Sequence, residues 1–400
     1  MVDGRELGVY PYPYARLEIP VGPLGAGEHT ILAAIDNRLD WRTMRLARTF
    51  YDFYFFGGFY RSVSLVEDRP KLFVRTRDLA TGEVEIEVKG KSGEAHVRFD
   101  GGKAIKVKLE AGKARVRVPD FKVWSPSAPN LHRLELTLAK GPALASRFGI
   151  RTIEAKNRKI YLNGEPIFLK GVNRHEQSRG KGVVMTAEER VRDLKLLKEL
   201  GANFIRGAHY QQDPKFLDLC DEMGLMVMDE AFDMWELPKG DYSNFWQEWH
   251  ARDLAEFVRR DRSHPSVVMW SVGNEVPDQS TAEGGAICRA LQDEIRRLDP
   301  TRPVTLGIDR PEDAWKNGLL GVIDVPGLNY RLHKYDFTYG KVANAQGVVL
   351  GTETASTVSS RGIYKFPDEP VEPGARFPDL QLSSYDTEAC PWSNLPDDDW

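Results

Sequence analysis

The stretch Val267-Val268-Met269-Trp270-Ser271-Val272-Gly273-Asn274-Glu275 decides the fold. It opens as an apolar run without polar alternation, the pattern of a strand buried on both faces. It closes on Gly-Asn-Glu, so small and polar residues take over where the apolar run stops. Val348-Val349-Leu350-Gly351-Thr352-Glu353 repeats the shape downstream. A parallel barrel buries its strands in this way and gathers polar groups at their C-terminal ends. Two such strands, each ending on a glutamate, would bring a pair of carboxylates to one rim.

Around these two runs, residues 154 to 353 alternate between strand and helix. A strand is expected at 166–172. A helix then opens at Thr186, with Glu189 three residues on completing a capping box. Its apolar positions Val191, Leu194, Leu196, Leu197 and Leu200 follow helical spacing, and Gly201 sits past its end. Strands at 203–207, 225–229, 267–272, 304–307, 322–328 and 347–351 follow, with helices at 214–222, 249–260 and 281–297. This order implies a parallel sheet with right-handed crossovers. The number of strands favours a (β/α)8 TIM barrel over a doubly wound sheet, and no G-x-G-x-x-G opens a helix after the first strand. The tail at 361–400 is rich in Pro, Asp and Ser and holds no eighth strand, so the barrel is expected to lack its last strand.

The first 150 residues read as β. Strands are expected at 30–37 and 60–66, flanking the aromatic loop Tyr51-Asp52-Phe53-Tyr54-Phe55-Phe56-Gly57-Gly58. Asp52 is either a turn residue before Gly-Gly or a polar group set among rings to meet a sugar. Short alternating runs at 71–77, 83–89, 95–99, 104–109, 114–118 and 134–138 are separated by turns at Gly90, Gly101-Gly102 and Gly112. That spacing predicts a β-sandwich of immunoglobulin type.

Composition narrows the function classes. The chain has 400 residues, 41% hydrophobic and 28% charged, which is long enough for two or three cores. A net charge of -4 gives no basic field for nucleic acid. No run is apolar for long enough to span a membrane. The N-terminus Met1-Val2-Asp3-Gly4-Arg5-Glu6 lacks the apolar core of a signal peptide, which favours the cytoplasm. Cys220, Cys288 and Cys390 are an odd, scattered set and read as free thiols. Nine Trp are compatible with flat platforms for sugar rings and equally with a large core.

The candidate chemistry lies where the barrel strands end. Those ends read Asn173-Arg174-His175-Glu176, Arg206-Gly207-Ala208-His209-Tyr210, Asp229-Glu230, Asn274-Glu275, Asn329-Tyr330 and Glu353. A single charged strand end is more often a structural ion pair, but six on one rim point to a site. Glycoside hydrolysis needs one carboxyl that keeps its proton near neutral pH and another that stays ionised. Arg206 could supply positive charge, Tyr330 a donor to the ionised carboxylate, and Asn274 a donor to the sugar 2-hydroxyl. His175, His209, Glu176, Asp229 and Glu230 could bind a cation, yet no pair shows metal-ligand spacing. No G-x-S-x-G marks a serine hydrolase. No cofactor is implied.

These motifs resemble glycoside hydrolase family 2, the family of β-galactosidases, β-glucuronidases and β-mannosidases. Residues 51–63 look like the end of its sugar-binding jelly roll. Gly171-Val172-Asn173-Arg174-His175-Glu176 and Ile205-Arg206-Gly207-Ala208-His209-Tyr210 look like its first two barrel strand ends. Ser271-Val272-Gly273-Asn274-Glu275 resembles its acid/base motif, and Gly351-Thr352-Glu353-Thr354-Ala355-Ser356 its nucleophile motif. The resemblance implies retention through a covalent glycosyl-enzyme, with Glu275 as acid then base and Glu353 as nucleophile, their carboxyls roughly 5–5.5 Å apart. It implies substrate contacts from Asp52, His175, His209, Asn274 and Tyr330, and Arg206 is expected among the substrate-binding residues with them. It divides the chain into the C-terminal part of a jelly roll (1–66), an immunoglobulin-like sandwich (67–153) and an incomplete TIM-barrel catalytic domain (154–400), a fragment cut at both ends. The cut makes the missing signal peptide a weak guide to localisation. The magnesium-ligand pattern of some galactosidases is not reproduced in 229–236, so no metal is carried over. The Glu353 neighbourhood and residues 379–386 look most like β-galactosidases of gut-bacterial type, acting on a small glycoside or oligosaccharide. A glucuronidase, a mannosidase and an inactive carbohydrate-binding fragment stay open, as does a homo-oligomer.

Overall fold

A computed structural model describes residues 1–10, 14–36, 57–178, 181–238, 242–331, 334–342 and 347–354. From Leu72 onward the chain folds as a two-sheet β-sandwich followed by a parallel barrel.

The sandwich strands are β1 (Leu72–Asp78), β2 (Glu83–Val88), β3 (Gly93–Phe99), β4 (Ile105–Leu109), β5 (Lys113–Arg117), the short pair β6 (Trp124–Ser125) and β7 (Ala128–Pro129), β8 (His132–Leu138) and β9 (Leu144–Phe148). They form antiparallel sheets ordered β1-β2-β5 and β4-β3-β8-β9. Alternate residues face inward, so Val84, Ile86 and Val88 of one sheet meet Ala95, Val97, Leu134 and Leu136 of the other in one dry core.

A three-stranded antiparallel sheet follows, β10 (Ile153–Lys156), β11 (Lys159–Leu162) and β12 (Glu165–Ile167). The single strand expected at 166–172 is thus two strands. Pro166 lies in β12, at the edge of this small sheet, where its missing N–H costs nothing. The barrel begins afresh at β13 (Gly171–Arg174).

The barrel continues through β14 (Phe204–Gly207), β15 (Met226–Glu230), β16 (Val267–Asn274), β17 (Val304–Ile308), β18 (Val325–Asn329) and β19 (Leu350–Glu353). All neighbours are parallel and in sequential order, so the seven strands make a nearly closed barrel. Every residue of β14 to β18 is buried. The floor is plugged: Ile153, Ala155, Ile160 and Leu162 pack with Trp124 against Phe204, Met226, Met228, Met269, Val325 and Val348.

Helices α1 (Ala187–Glu199), α2 (Pro214–Met223), α3 (Trp246–Asp261), α4 (Gly284–Leu298), α5 (Pro311–Lys316), α6 (Leu319–Val322) and α7 (Tyr335–Lys341) form the outer layer. The Thr186/Glu189 capping box is present. The apolar face expected for α1 is reduced: Leu194 is buried, while Leu196 and Leu200 face solvent. Buried Arg190 and Asp193 fill that face instead, because they serve ion pairs under the rim. The strand expected at 322–328 starts later, since Gly318 adopts a left-handed conformation (φ 83°) that opens α6.

The strands expected at 30–37 and 60–66 are absent among the described residues, where only isolated bridges such as Val2 with Ile31 occur. Period-two alternation marks a strand only when a neighbouring strand accepts its ladder. Residues 60–66 run without one, and Val63, Leu65 and Val66 are exposed.

Sandwich and barrel are joined by specific contacts. Arg151 donates to the carbonyls of Pro265 (3.0 Å) and Val267 (2.6 Å) at the start of β16. Trp124 Nε1 donates to the Asp221 carbonyl at 2.9 Å. A Cβ on Gly149 would lie 2.7 Å from Pro265 Cβ and 2.9 Å from Trp124 Cβ, so only glycine permits this approach.

Candidate active site

The site sits at the C-terminal rim, where the barrel fold places chemistry. Its hub is Arg206, at the third position of β14 and pointing into the barrel. Its Nε and Nη2 donate to Glu230 Oε2 at 3.1 and 2.8 Å. Nη1 donates to Glu353 Oε1 at 2.7 Å, and Nη2 also reaches Asn274 Oδ1 at 2.8 Å. One buried guanidinium thereby ties four strands together, β14, β15, β16 and β19. A Cβ on Gly307 of β17 would stand 2.8 Å from Arg206 Nη2, so that position stays open for the fork.

Glu353 ends β19. Burial pushes its carboxyl up, but Arg206, His209 and a hydrogen bond from Tyr330 outweigh that and hold it below the usual glutamate range. His209 lies between two carboxylates, with Nδ1 2.8 Å from Glu230 Oε1 and Nε2 3.5 Å from Glu353 Oε1. The backbone N–H of Tyr330 donates to the Glu353 carbonyl, and Tyr330 holds a left-handed conformation (φ 55°).

Glu275 follows the last residue of β16. Gly273 is required just before it, since a Cβ there would meet Trp235 Nε1 and Val276 Cγ1 at 2.9 Å. Glu275 turns left-handed (φ 45°), its N–H donates to the Gly307 carbonyl at 2.9 Å, and its Oε1 accepts from Asn329 Nδ2 at 2.9 Å. Asn274 is buried, and its Nδ2 donates to Asp233 Oδ1 at 3.1 Å. The expected donor to a sugar hydroxyl is thus engaged with a carboxylate. His175 is half-buried, with its ring centroid 5.3 Å from that of His209.

The rim therefore brings together Glu275, Glu353, Arg206, His209, Asn274 and Tyr330, with His175 beside them. Asp52 lies outside the described residues. Glu176 separates from the group. Its carboxylate accepts from Arg61 (2.9 Å) and from Arg190 (3.1 and 2.9 Å), and Arg190 also reaches Asp213. Burial raises Glu176, yet Arg61, Arg190 and Arg174 together hold it below the usual range. It is an ion-pair centre that fastens residue 61 to the barrel. Glu230 accepts from Arg206, His209 and Ser271, whose Oγ is 2.6 Å away. Its donors mark it as an organiser of the site.

Asn329 and Thr352 gained no role from sequence alone. Asn329 closes β18 as Asn274 closes β16, and that parallel was the available signal. Thr352 Oγ donates to Asn329 Oδ1 at 2.6 Å. A partner for Thr352 on another strand leaves no trace in local spacing.

A carboxylate held by a guanidinium at the end of β19 and a second carboxyl held by an amide just past the end of β16 thus share the C-terminal rim of one parallel barrel. The family model "Glycosyl hydrolases family 2, TIM barrel domain" matches residues 153–323. A β-galactosidase of Bacteroides ovatus is 31% identical over 98% of this chain and 54% of its own length. The β-glucuronidase of Canis lupus familiaris is 32% identical over 64% of this chain and 42% of its own. The crystal structure of a glycosyl hydrolase family 2 member from Bacteroides cellulosilyticus superposes with a TM-score of 0.62 at 29% identity, covering 72% of this chain and 40% of that one. The chain belongs to glycoside hydrolase family 2. It spans about half the length of the curated relatives it matches. Among the described residues, no helix is long and apolar enough to cross a membrane.

Proposed function

We propose that the chain is the catalytic core of a retaining exo-β-glycosidase acting by double displacement, with Glu353 as nucleophile and Glu275 as acid and then base. One observation carries the reading: the Arg206 fork, with His209 and Tyr330, keeps Glu353 ionised in a buried site that would otherwise protonate it. A carboxylate kept charged at the cost of desolvation is poised to attack an electron-poor carbon. Glu275 faces the same rim from β16. His175, His209, Asn274, Tyr330 and Asp52 are the proposed contacts to the terminal sugar.

A β-D-galactoside is the proposed substrate, because the match to the Bacteroides ovatus β-galactosidase runs through nearly the whole chain. The similarity to the canine β-glucuronidase favours a β-glucuronide as the second reading. The test incubates the chain with aryl β-galactoside and aryl β-glucuronide, with Glu353→Gln as control. Turnover of the galactoside above the control supports the first reading, and turnover of the glucuronide alone replaces the sugar. Calorimetric sugar binding without hydrolysis, in a chain that melts cooperatively, replaces catalysis with binding. Glu275→Gln should lower kcat/KM on an unactivated glycoside by about 10²–10⁴-fold.

A further inference from the structure

We propose that Thr352 and Asn329 are positioning residues that decide which oxygen of Glu275 carries the transferable proton. The inference rests on the glycosidase reading above. It follows from the polarity of one buried hydrogen-bond chain.

Both ends of that chain have a fixed sense. A guanidinium can only donate and a carboxylate can only accept. Arg206 Nη2 donates to Asn274 Oδ1, and Asn274 Nδ2 donates to Asp233 Oδ1 at 3.1 Å. The Asn274 amide is therefore locked with its oxygen toward Arg206. That oxygen takes a second donor, Asn329 Nδ2, at 2.9 Å. The same NH2 group reaches Glu275 Oε1 at 2.9 Å. Asn329 Oδ1 then faces Thr352 Oγ, 2.6 Å away, so the threonine hydroxyl donates. Turning the Asn329 amide over would set its oxygen against two other oxygens at 2.9 Å. Asn274, Asn329 and Thr352 are all buried, so water does not substitute for a lost partner. Gly327 leaves room for the threonine, since a Cβ there would stand 2.5 Å from Thr352 Cγ2.

Glu275 Oε1 is thus held as an acceptor, and a carboxylic acid accepts best through its carbonyl oxygen. The proton resides on Oε2. In the first half-reaction Oε2–H passes its proton to the glycosidic oxygen. The bond between that oxygen and the anomeric carbon breaks with its electron pair going to the oxygen, and a Glu353 oxygen bonds the carbon. Glu275 is then a carboxylate whose charge the Asn329 N–H stabilises at Oε1. In the second half a water gives Oε2 a proton as its oxygen bonds the anomeric carbon, and the bond to Glu353 breaks with its pair returning to that carboxylate. Thr352 precedes the nucleophile in sequence, so the strand that carries Glu353 also sets the orientation of its partner.

The test exploits leaving groups. A 2,4-dinitrophenyl glycoside departs without a proton, whereas a methyl glycoside needs one. Both are assayed as the galactosides, or as the glucuronides if the wild-type chain cleaves those instead. Thr352→Val keeps the shape and removes the hydroxyl. It should lower kcat/KM on the methyl glycoside about tenfold and on the dinitrophenyl glycoside less than about threefold, as loss of one hydrogen bond dictates. Thr352→Ser, which restores the hydroxyl, should restore the methyl rate. Equal losses on both substrates, or none, overturn the proposal. Glu275→Gln separates the failures. If it does not discriminate between leaving groups, the assignment of Glu275 falls. If it does and Thr352→Val does not, only the positioning role falls. A readout without turnover is carboxyl-13C NMR of glutamate-labelled protein, where the resonance missing in Glu275→Gln reports Glu275. Thr352→Val should move its titration upward by roughly half a unit or more, because a donor to the charged form is weakened. An unchanged titration overturns the proposal.

Discussion

Replacing Arg206 by Met removes one charge and four donated hydrogen bonds from a site that is almost wholly shielded from water. Glu230, itself fully buried, loses the fork and keeps His209 and Ser271; Glu353 keeps His209 and Tyr330. Breaking a buried pair by removing one partner costs about 3–5 kcal/mol, which is a large part of a typical domain stability of about 5–15 kcal/mol. The cost depends on pH with a definite sign. In the wild type Glu353 is held below its ordinary value, so its contribution is present above the unfolded glutamate pKa and is lost as pH falls through the lower folded value. In the variant burial acts with one opponent fewer, and the stranded carboxylates take up protons more readily. The stability gap should therefore be widest near neutral pH and should narrow as pH falls below the unfolded glutamate value toward the lower folded one. Urea unfolding followed by the fluorescence of buried Trp235 and Trp270 measures it. At a slope of about 1–3 kcal/mol per molar, the midpoint should fall by roughly 1 M or more at pH 7. A gap below about 1 kcal/mol, the value of an exposed pair, would refute the reasoning. So would a gap of the same size at pH 7 and at a pH well below the unfolded glutamate value.

Other outcomes follow from single positions. Gly307→Ala drives a methyl to 2.8 Å from Arg206 Nη2 and 3.0 Å from Asn274 Oδ1, and should cost about 1–3 kcal/mol along with most turnover, whereas Gly321→Ala, with open space around it in α6, should be neutral or slightly stabilising in the same melts. Glu176→Gln should loosen the segment around Arg61 and make it more sensitive to limited proteolysis at pH 7. Because Glu176 is held below its usual range, the difference from wild type should close as pH falls through that lowered value. Burial pushes the Cys288 thiol up to about 12 and also raises Cys220 well above its ordinary value, so iodoacetamide at pH 8 should leave both unlabelled in native protein and label them on unfolding, read by peptide mass.

The barrel was legible because its strands are buried on both faces. The run at 267–272 has no polar interruption until Ser271, and the structure shows every residue of β16 buried. One helix was legible through its capping box, Thr186 with Glu189, while the Asp213 cap ahead of Pro214 emerged from the structure. Less legible was whatever depends on partners distant in sequence. The alternation at 60–66 looks like a strand, but a strand is a property of two segments. Likewise α1 has apolar residues at helical spacing, yet its buried face is set by Glu176 and Asp213, which call for Arg190 rather than leucine. At the rim, Glu275, Glu353 and Arg206 could be found because charge at the end of an apolar strand is conspicuous. Glu176 looked the same and proved to be an ion-pair centre, since only geometry shows whether a carboxylate faces the barrel mouth or two arginines. Asn329 and Thr352 were inconspicuous because neutral residues do their work through orientation.

The sandwich and the barrel do not behave as interchangeable modules. Arg151 lies in the segment between them, and its guanidinium caps the carbonyls of Pro265 and Val267, at the root of the strand whose other end carries Glu275. A recombinant that joined a foreign sandwich to this barrel just upstream of β10 would inherit the floor but lose the group that finishes it, together with the glycine at 149 that lets the two bodies touch. A crossover before Gly149 would let the linker travel with the barrel, but the incoming sandwich would still have to supply a tryptophan at 124 to fill the floor and reach the Asp221 carbonyl. The unit of exchange is therefore set by where the buried carbonyls find their donors, a boundary that lies several residues before the first strand of the barrel floor.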